Sequence, residues 1–278
     1  MISVIIPANN EADLIGTCLR SILASEMVAG GPQPEILVIA NGCTDNTAEV
    51  AESFADQAAA AGWVLKVRDI KQGSKLNALN VGDGTASCDI RAYVDADVVV
   101  GPKLMQGLVD VLSRPDAAYA SGKVNITATN SWASRAYRRI YAQVPFMTDG
   151  VPGCGVFAVN AAGRARWGVF PDIISDDTYV RLQFTPEERH TAPAIYDWPI
   201  VEGFSNLVRV RRRQDIGVAE VAEKYPELLR NDDKPRFGLK RALGLALRDP
   251  VGFGVYTAVA LAVRLKRPTS SEGWSRGR

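Results

Sequence analysis

The stretch Tyr93-Val94-Asp95-Ala96-Asp97 sets two carboxylates two residues apart behind an apolar run. On an extended chain alternate side chains point the same way, so Asp95 and Asp97 can converge on one point. Two carboxylates with open positions suit Mg2+ or Mn2+ that also binds substrate phosphates. The same spacing is also an ordinary acidic turn after a strand. A second pair lies in Ser175-Asp176-Asp177-Thr178, ahead of Tyr179-Val180-Arg181-Leu182. With Ser175 as N-cap, both aspartates fall in a first helical turn, where they complement the helix dipole. They can equally be a general base and its support, because a free aspartate, with a pKa of about 3.9, is ionised at neutral pH. A neighbouring like charge raises a carboxyl and a helix N-terminus lowers it, so the sign of the shift stays open. A third motif is Asn41-Gly42-Cys43-Thr44-Asp45-Asn46-Thr47. It reads as an Asx- or Thr-capped turn, and the Asn41 amide can hydrogen-bond a base or ribose.

Composition narrows this chemistry. The 278 residues include one histidine, His190, which excludes any His pair or His-rich metal site. A metal must then be held mainly by oxygen, and a general base is most simply a carboxylate. A net charge of +1, with 47% hydrophobic and 23% charged residues, is globular and gives no overall pull toward nucleic acid. Cys18, Cys43, Cys88 and Cys154 form no C-x-x-C pair, which argues against a zinc ribbon and for reduced thiols in a cytoplasmic setting. The opening Ile2–Ile6 reads as a strand rather than a signal peptide.

The elements that must position these residues alternate. Apolar, β-branched runs predict strands at Ser3–Ile6, Glu35–Ala40, Val64–Val67 and Ile90–Val94. Between them, Asn10 can cap a helix carrying Leu14, Ile15, Cys18, Leu19 and Ile22. Thr44 or Asp45 can open a second helix through Val50 and Phe54, Ser74 a third through Leu76 and Leu79, and Pro102 suits the first turn of a fourth. Gly30-Gly31-Pro32-Gln33-Pro34 reads as a turn before the second strand. Such repetition predicts an α/β fold, a mostly parallel sheet with helices on both faces and ligands beyond the carboxyl ends of its strands. After about residue 115, strand candidates Ala117–Ile126, Val156–Val159 and Ala194–Ile200 mix with a helical stretch from Trp132 to Val144, which predicts a mixed sheet in one domain.

Charge is uneven. Residues 201–278 hold 16 Lys and Arg against 9 Asp and Glu, whereas residues 1–200 hold 16 against 22. The division expected is a catalytic domain over 1–235 and a basic, apolar helical tail over 236–278. Val251–Val263 is almost wholly apolar, bounded by Arg248 and by Arg264, Lys266 and Arg267. It falls short of the about 20 residues that span a bilayer. It reads either as a packing helix or as an interfacial segment at anionic lipid.

In order, these motifs resemble a family 2 glycosyltransferase with the GT-A nucleotide-diphospho-sugar transferase fold. The match runs over roughly residues 1–185: Ser3-Val4-Ile5-Ile6-Pro7-Ala8-Asn9-Asn10-Glu11, then Glu35 through Asp45, Lys75-Leu76-Asn77-Ala78-Leu79-Asn80, the D-x-D motif Asp95-Ala96-Asp97, and Asp176-Asp177 where the family has its catalytic Asp. The resemblance implies that Pro7, Ala8, Glu11 and Asn41 line the nucleotide pocket and that Lys75 lies near the base or diphosphate. It implies that Asp95 faces the ribose and metal site, and that Asp97 ligates Mg2+ or Mn2+. Asp177 is then the base, supported by Asp176, with Gly153, Cys154 and Gly155 beside the sugar and acceptor. Three departures stand out: Ala40-Asn41 replaces a usual pair of aspartates, the acidic pair is Asp-Asp rather than Glu-Asp, and Arg209-Val210-Arg211-Arg212-Arg213-Gln214 stands nearest a Gln-x-x-Arg-Trp element without its Trp. Arg212 and Arg213 can hold phosphate by bidentate contacts or form a solvated basic face. His190 is a candidate third metal ligand or a solvated loop residue, and Trp132, Tyr137 and Tyr141 fall at helical spacing and read as packing.

The function implied is metal-dependent, inverting transfer from a nucleotide-sugar donor to a saccharide or lipid-linked acceptor, as in polysaccharide or glycolipid synthesis. Its setting would be the cytoplasm, at the inner membrane face where the tail meets lipid. A sugar-phosphate nucleotidyltransferase would need a glycine-rich basic loop after the first strand, and here Pro7-Ala8-Asn9-Asn10-Glu11 follows it. A non-catalytic nucleotide-sugar binding protein is the other alternative, since fold does not fix function.

Overall fold

Ile2–Ala8 and Glu35–Asn41 are almost continuously apolar, as befits parallel strands covered on both faces. In the computed structural model, which describes residues 1–27, 33–128 and 130–265, they are β1 and β2. The other strands are β3 (Val64–Ile70), β4 (Ile90–Val94), β5 (Val99–Val100), β6 (Tyr119–Thr127), β7 (Val156–Val159) and β8 (Arg189–Pro199). They form one sheet in the order β3-β2-β1-β4-β7-β6-β8-β5. The β3-β2-β1-β4 half is parallel, β7 runs antiparallel to both β4 and β6, β8 lies parallel to β6, and β5 pairs antiparallel with β8. This is the α/β architecture with a mixed sheet that the sequence predicts.

The helices are α1 (Ala12–Leu23), α2 (Thr47–Glu52), α3 (Ala55–Ala60), α4 (Lys75–Thr85), α5 (Leu104–Leu112), α6 (Trp132–Tyr141), α7 (Pro145–Thr148), α8 (Ala161–Arg164), α9 (Asp176–Arg181), α10 (Phe204–Lys224), α11 (Leu239–Arg248) and α12 (Pro250–Leu265). Alternate side chains of a strand face opposite ways, so β1 feeds two cores. Ile2, Val4 and Ile6 pack with Ile15, Leu19 and Ile22 of α1 and Leu104 and Leu108 of α5. Ile5 packs on the other face with Leu76 and Leu79 of α4. At the amino ends of the strands, buried Glu35 accepts hydrogen bonds from Ser3 Oγ (2.7 Å), Ser87 N (2.6 Å) and Lys66 Nζ (2.7 Å).

Several local expectations shift. Asn10 sits at φ 54° and its Oδ1 accepts N–H bonds from Thr44 (2.5 Å) and Asp45 (3.2 Å). It therefore caps the turn after β2, while Glu11 holds the N-cap position of α1. The second helix breaks at Ser53-Phe54 into α2 and α3. Ser74 does cap α4, accepting from Asn77 N at 3.3 Å. Pro102 precedes the N-cap Lys103 of α5 rather than entering its first turn. The helix from Trp132 ends at Tyr141, and Pro145 forces an extended Val144 before α7. Residues 30–32 of the expected Gly30–Pro34 turn lie outside the described residues, as do Lys266 and Arg267.

The apolar run Val251–Val263 lies in α12. Val259 is buried with Tyr137 of α6 and with Leu207 and Val208 of α10, so one face of this run packs on the body of the fold. Among the described residues, no helix is long and apolar enough to cross a membrane.

Candidate active site

Parallel strands align their carboxyl ends, and loops leaving that edge can converge on one cleft. Here Pro7 lies near the end of β1, Asn9 and Glu11 follow it, Asn41 ends β2, and Asp95, Ala96 and Asp97 leave β4 to line a cleft of about 270 Å³. Lys75, Cys154, Gly155, the stretch Ile174–Asp177, Trp198, Val210, Arg213 and Gln214 complete its lining. Gly153 lines an adjoining hollow of about 30 Å³ together with Lys75, Asp95, Asp176 and Asp177.

Asp95 and Asp97 converge through a turn rather than an extended chain, because Val98 N–H donates to Asp95 O at 3.1 Å. The Asp95 N–H donates to Gly155 O at 2.9 Å, continuing the β4–β7 pairing. That approach needs glycine. Gly155 lies at φ 73°, and a Cβ there would sit 2.7 Å from Trp198 Cδ1. Gly153 lies at φ 69°, and a Cβ would run into the Tyr119 hydroxyl.

Lys75, the first residue of α4, joins the two acidic pairs. Its Nζ lies 3.0 Å from Asp95 Oδ1 and 3.2 Å from Asp176 Oδ2. Burial alone would lower the Lys75 pKa, but Asp176, Asp95 and Asp177 outweigh it and raise it, so Lys75 stays charged. Asp176 is buried and Asp177 partly open at the start of α9. Ser175 occupies the N-cap position, although its side chain makes no cap bond. Burial and the charge of Asp176 push the Asp177 carboxyl up to about 6, against the pull of Lys75 and of the Thr178 N–H it accepts at 2.7 Å. The direction left open by the sequence is therefore upward. A carboxylate poised near neutrality is suited to general-base work.

Asn41 differs from expectation. Its Nδ2 donates to Ala8 O (2.8 Å) and Ile39 O (3.3 Å), so the amide N–H group ties β2 to β1 rather than facing a base. Only its Oδ1 is left without a partner at the cleft. Ala8 does not line the cleft, because its side chain is buried in the core and its carbonyl holds Asn41. Cys154 lines it, and burial raises its thiol far above the usual range.

The arginine run splits by helical phase. Val210, Arg213 and Gln214 share the cleft face of α10, with Gly217 one turn on admitting Ile174 and Ser175 at close approach. Arg212 points away, donating to Ala262 O of α12 at 3.3 Å. The i, i+3, i+4, i+7 spacing could have singled out Val210 and Gln214 with Arg213, whereas Asn9 and Trp198 carried no comparable signal. His190 is not at the cleft. It sits at the start of β8 with Nε2 2.9 Å from Arg114 Nη1, and burial and Arg114 lower its pKa. Tyr137 and Tyr141 pack with each other and Tyr137 with Tyr256, as their spacing predicts, while Trp132 is exposed.

Among the described residues, no cluster of three or more His, Cys, Asp or Glu could hold a metal by itself. Asp95 and Asp97 nonetheless offer an all-oxygen pair at the cleft, which fits a Mg2+- or Mn2+-type ion completed by substrate phosphates and water.

Residues 3–164 match the family described as glycosyl transferase family 2. The glycosyltransferase AglE of Haloferax volcanii is 31% identical over 129 residues, 46% of this chain and 41% of its own length. The chain spans less than half the length of the curated relatives it matches. A mannosyltransferase from Pyrobaculum calidifontis, solved with GDP-Man and Mn2+, superposes at TM-score 0.60 and 19% identity over 96% of this chain and 76% of that one. TarS of S. aureus with UDP superposes at 0.54 and 13% identity, over 95% and 91%. At such identities these structures share the GT-A fold with this chain.

Proposed function

Because the chain belongs to glycosyl transferase family 2, we propose that it moves a sugar from a nucleoside-diphosphate donor to an acceptor hydroxyl with inversion at the anomeric carbon. Residues 1–235 form the catalytic body in this reading and 236–278 its helical tail. The observation that carries it is the meeting of Asp95, Asp97, Asp176 and Asp177 around Lys75 in one cleft.

Asp177 takes the proton of the acceptor hydroxyl as that oxygen bonds to the anomeric carbon. The bond from that carbon to the diphosphate oxygen breaks on the opposite face, and its electron pair leaves with the nucleoside diphosphate. Asp176 and Lys75 set the charge around Asp177, the first raising its carboxyl and the second lowering it. Asp95 and Asp97 would hold Mg2+ or Mn2+, which when bound neutralises charge on the diphosphate as a Lewis acid. Pro7, Glu11 and the Asn41 Oδ1 face the nucleoside. Gly153, Cys154 and Gly155 flank the sugar, and Arg213 with Gln214 meets the diphosphate or the acceptor. A saccharide or lipid-linked acceptor, as in polysaccharide or glycolipid synthesis, fits the open cleft.

The two structural neighbours carry different nucleotides, GDP-Man and UDP, so fold alone does not choose the base. The test is a thermal-shift panel of UDP, GDP, dTDP and CDP with Mn2+, followed by donor turnover with the sugars of the stabilising base. One base should stabilise the chain by mass action, and its sugars should turn over. Stabilisation with no turnover of any donor would favour a binding protein instead.

A further inference from the structure

Helix α11 leaves a row of leucines uncovered. Leu239, Leu243 and Leu247 are 88%, 62% and 76% exposed. Residues four apart share a helix face, so this is one apolar stripe. Leu245 is buried on the other side of the helix. The helix is fastened in this orientation by Arg241, which donates to Asp149 Oδ2 (2.9 Å) and Thr148 Oγ1 (2.6 Å). The stripe is therefore not a face waiting to turn inward.

Its surroundings are basic. Residues 234–265 contain Lys234, Arg236, Lys240, Arg241, Arg248 and Arg264 against a single acid, Asp249. Asp249 is already paired with Arg139 at 2.6 and 3.0 Å. Lys240 borders the stripe on the helix surface, Arg248 ends the helix just after its last leucine, and both are exposed. We propose that the Leu239–Leu243–Leu247 face of α11 docks on an anionic lipid bilayer, its leucines entering the headgroup boundary and its flanking cations meeting lipid phosphates. An apolar stripe with cationic flanks is the pattern that binds in the plane of such an interface. A second copy of the chain is a poorer occupant, because a two-fold contact brings the same surface together and would set these cations against one another. The proposal is independent of the transfer reaction, since no residue of the stripe lines the cleft.

The test is flotation of the full chain with phosphatidylglycerol-containing vesicles and with pure phosphatidylcholine vesicles. The chain should float with the anionic vesicles and lose that association as salt rises. Leu239→Gln/Leu243→Gln/Leu247→Gln should reduce partitioning about tenfold or more while leaving the nucleotide-induced thermal shift unchanged. Lys240→Gln/Arg248→Gln, which keeps the leucines, should weaken binding to anionic vesicles by about fivefold for each charge removed. Equal binding of wild type and the leucine variant would overturn the proposal, as would equal binding to both vesicle types. A wild-type dimer in light scattering that the leucine variant converts to monomer, without vesicle binding, would assign the stripe to self-association and also overturn it.

Discussion

Lys75 and Asp176 form a 3.2 Å ion pair that ties the first residue of α4 to the first residue of α9. The same ammonium reaches Asp95 at 3.0 Å, so one side chain couples the carboxylates that follow β4 to those that open α9. Lys75→Met removes the charge that holds Asp95 and Asp176 together. It should cost about 2 kcal/mol of stability, less than a fully buried pair because Lys75 is partly exposed. Lys75 also pulls the Asp177 carboxyl down, so its loss should move the midpoint of the pH–activity profile upward. Urea unfolding and a pH series check the two effects separately.

Asp177 sets a pH dependence. Burial and Asp176 raise its carboxyl to about 6, so below that pH it carries a proton and cannot accept one. Turnover at subsaturating donor should rise with pH and level off above about 6, as a single ionisation. A profile that is flat from about pH 5 to about pH 8, which brackets that midpoint, would contradict this role.

The same shift has a stability consequence of opposite sense. A carboxyl raised in the folded state favours folding at low pH, and that contribution is lost as pH rises from the unfolded value of 3.8 through about 6. At neutral pH the Asp177 charge is thus a burden on the fold. Asp177→Asn should raise stability by about 1 kcal/mol, seen as a melting temperature a few degrees higher at pH 7 and unchanged near pH 3.

Glu35 behaves in the reverse way. Burial alone would raise its carboxyl, but hydrogen bonds from Lys66, Ser3 and Ser87 lower it to about 2. Its contribution is present above the unfolded value of 4.5 and is lost as pH falls from there toward 2. Glu35→Gln should cost about 2 kcal/mol at pH 7 and little at pH 2, with donor affinity intact because Glu35 lies at the amino end of the sheet. Chemical unfolding at the two pH values measures the difference.

Gly155→Ala strains a backbone at φ 73° and drives a Cβ to 2.7 Å from Trp198. It should cost about 2 kcal/mol and weaken nucleotide-sugar binding by displacing the carbonyl that accepts the Asp95 N–H. Gly168→Ala, where a Cβ meets nothing within 4 Å, is the control for helix- and loop-independent effects.

How far the sequence could be read follows from the range of the forces involved. β1, β2 and β4 and the Ser74 cap were legible because apolar runs and caps are local signals. Asn10 departs from the local rule because its side chain serves a turn more than thirty residues away, which no local signal weighs against capping its own helix. Arg212 and Arg213 look alike in a run of arginines, and only the phase of α10 turns one to the cleft and the other to α12. Trp198 reaches the cleft through the parallel pairing of β8 with β6, a long-range contact. The sign of the Asp177 shift depended on how deeply α9 is set and on Lys75, neither of which is local to the motif.

The central claim is that Asp177 is the base, and Asp177→Asn tests it most directly because the amide keeps the shape and removes the proton acceptor. With Mn2+ and the donor that the nucleotide panel identifies, release of nucleoside diphosphate should fall about 10³-fold while nucleotide affinity stays within about twofold of wild type. Release at the wild-type rate by a variant that binds nucleotide normally would contradict the account.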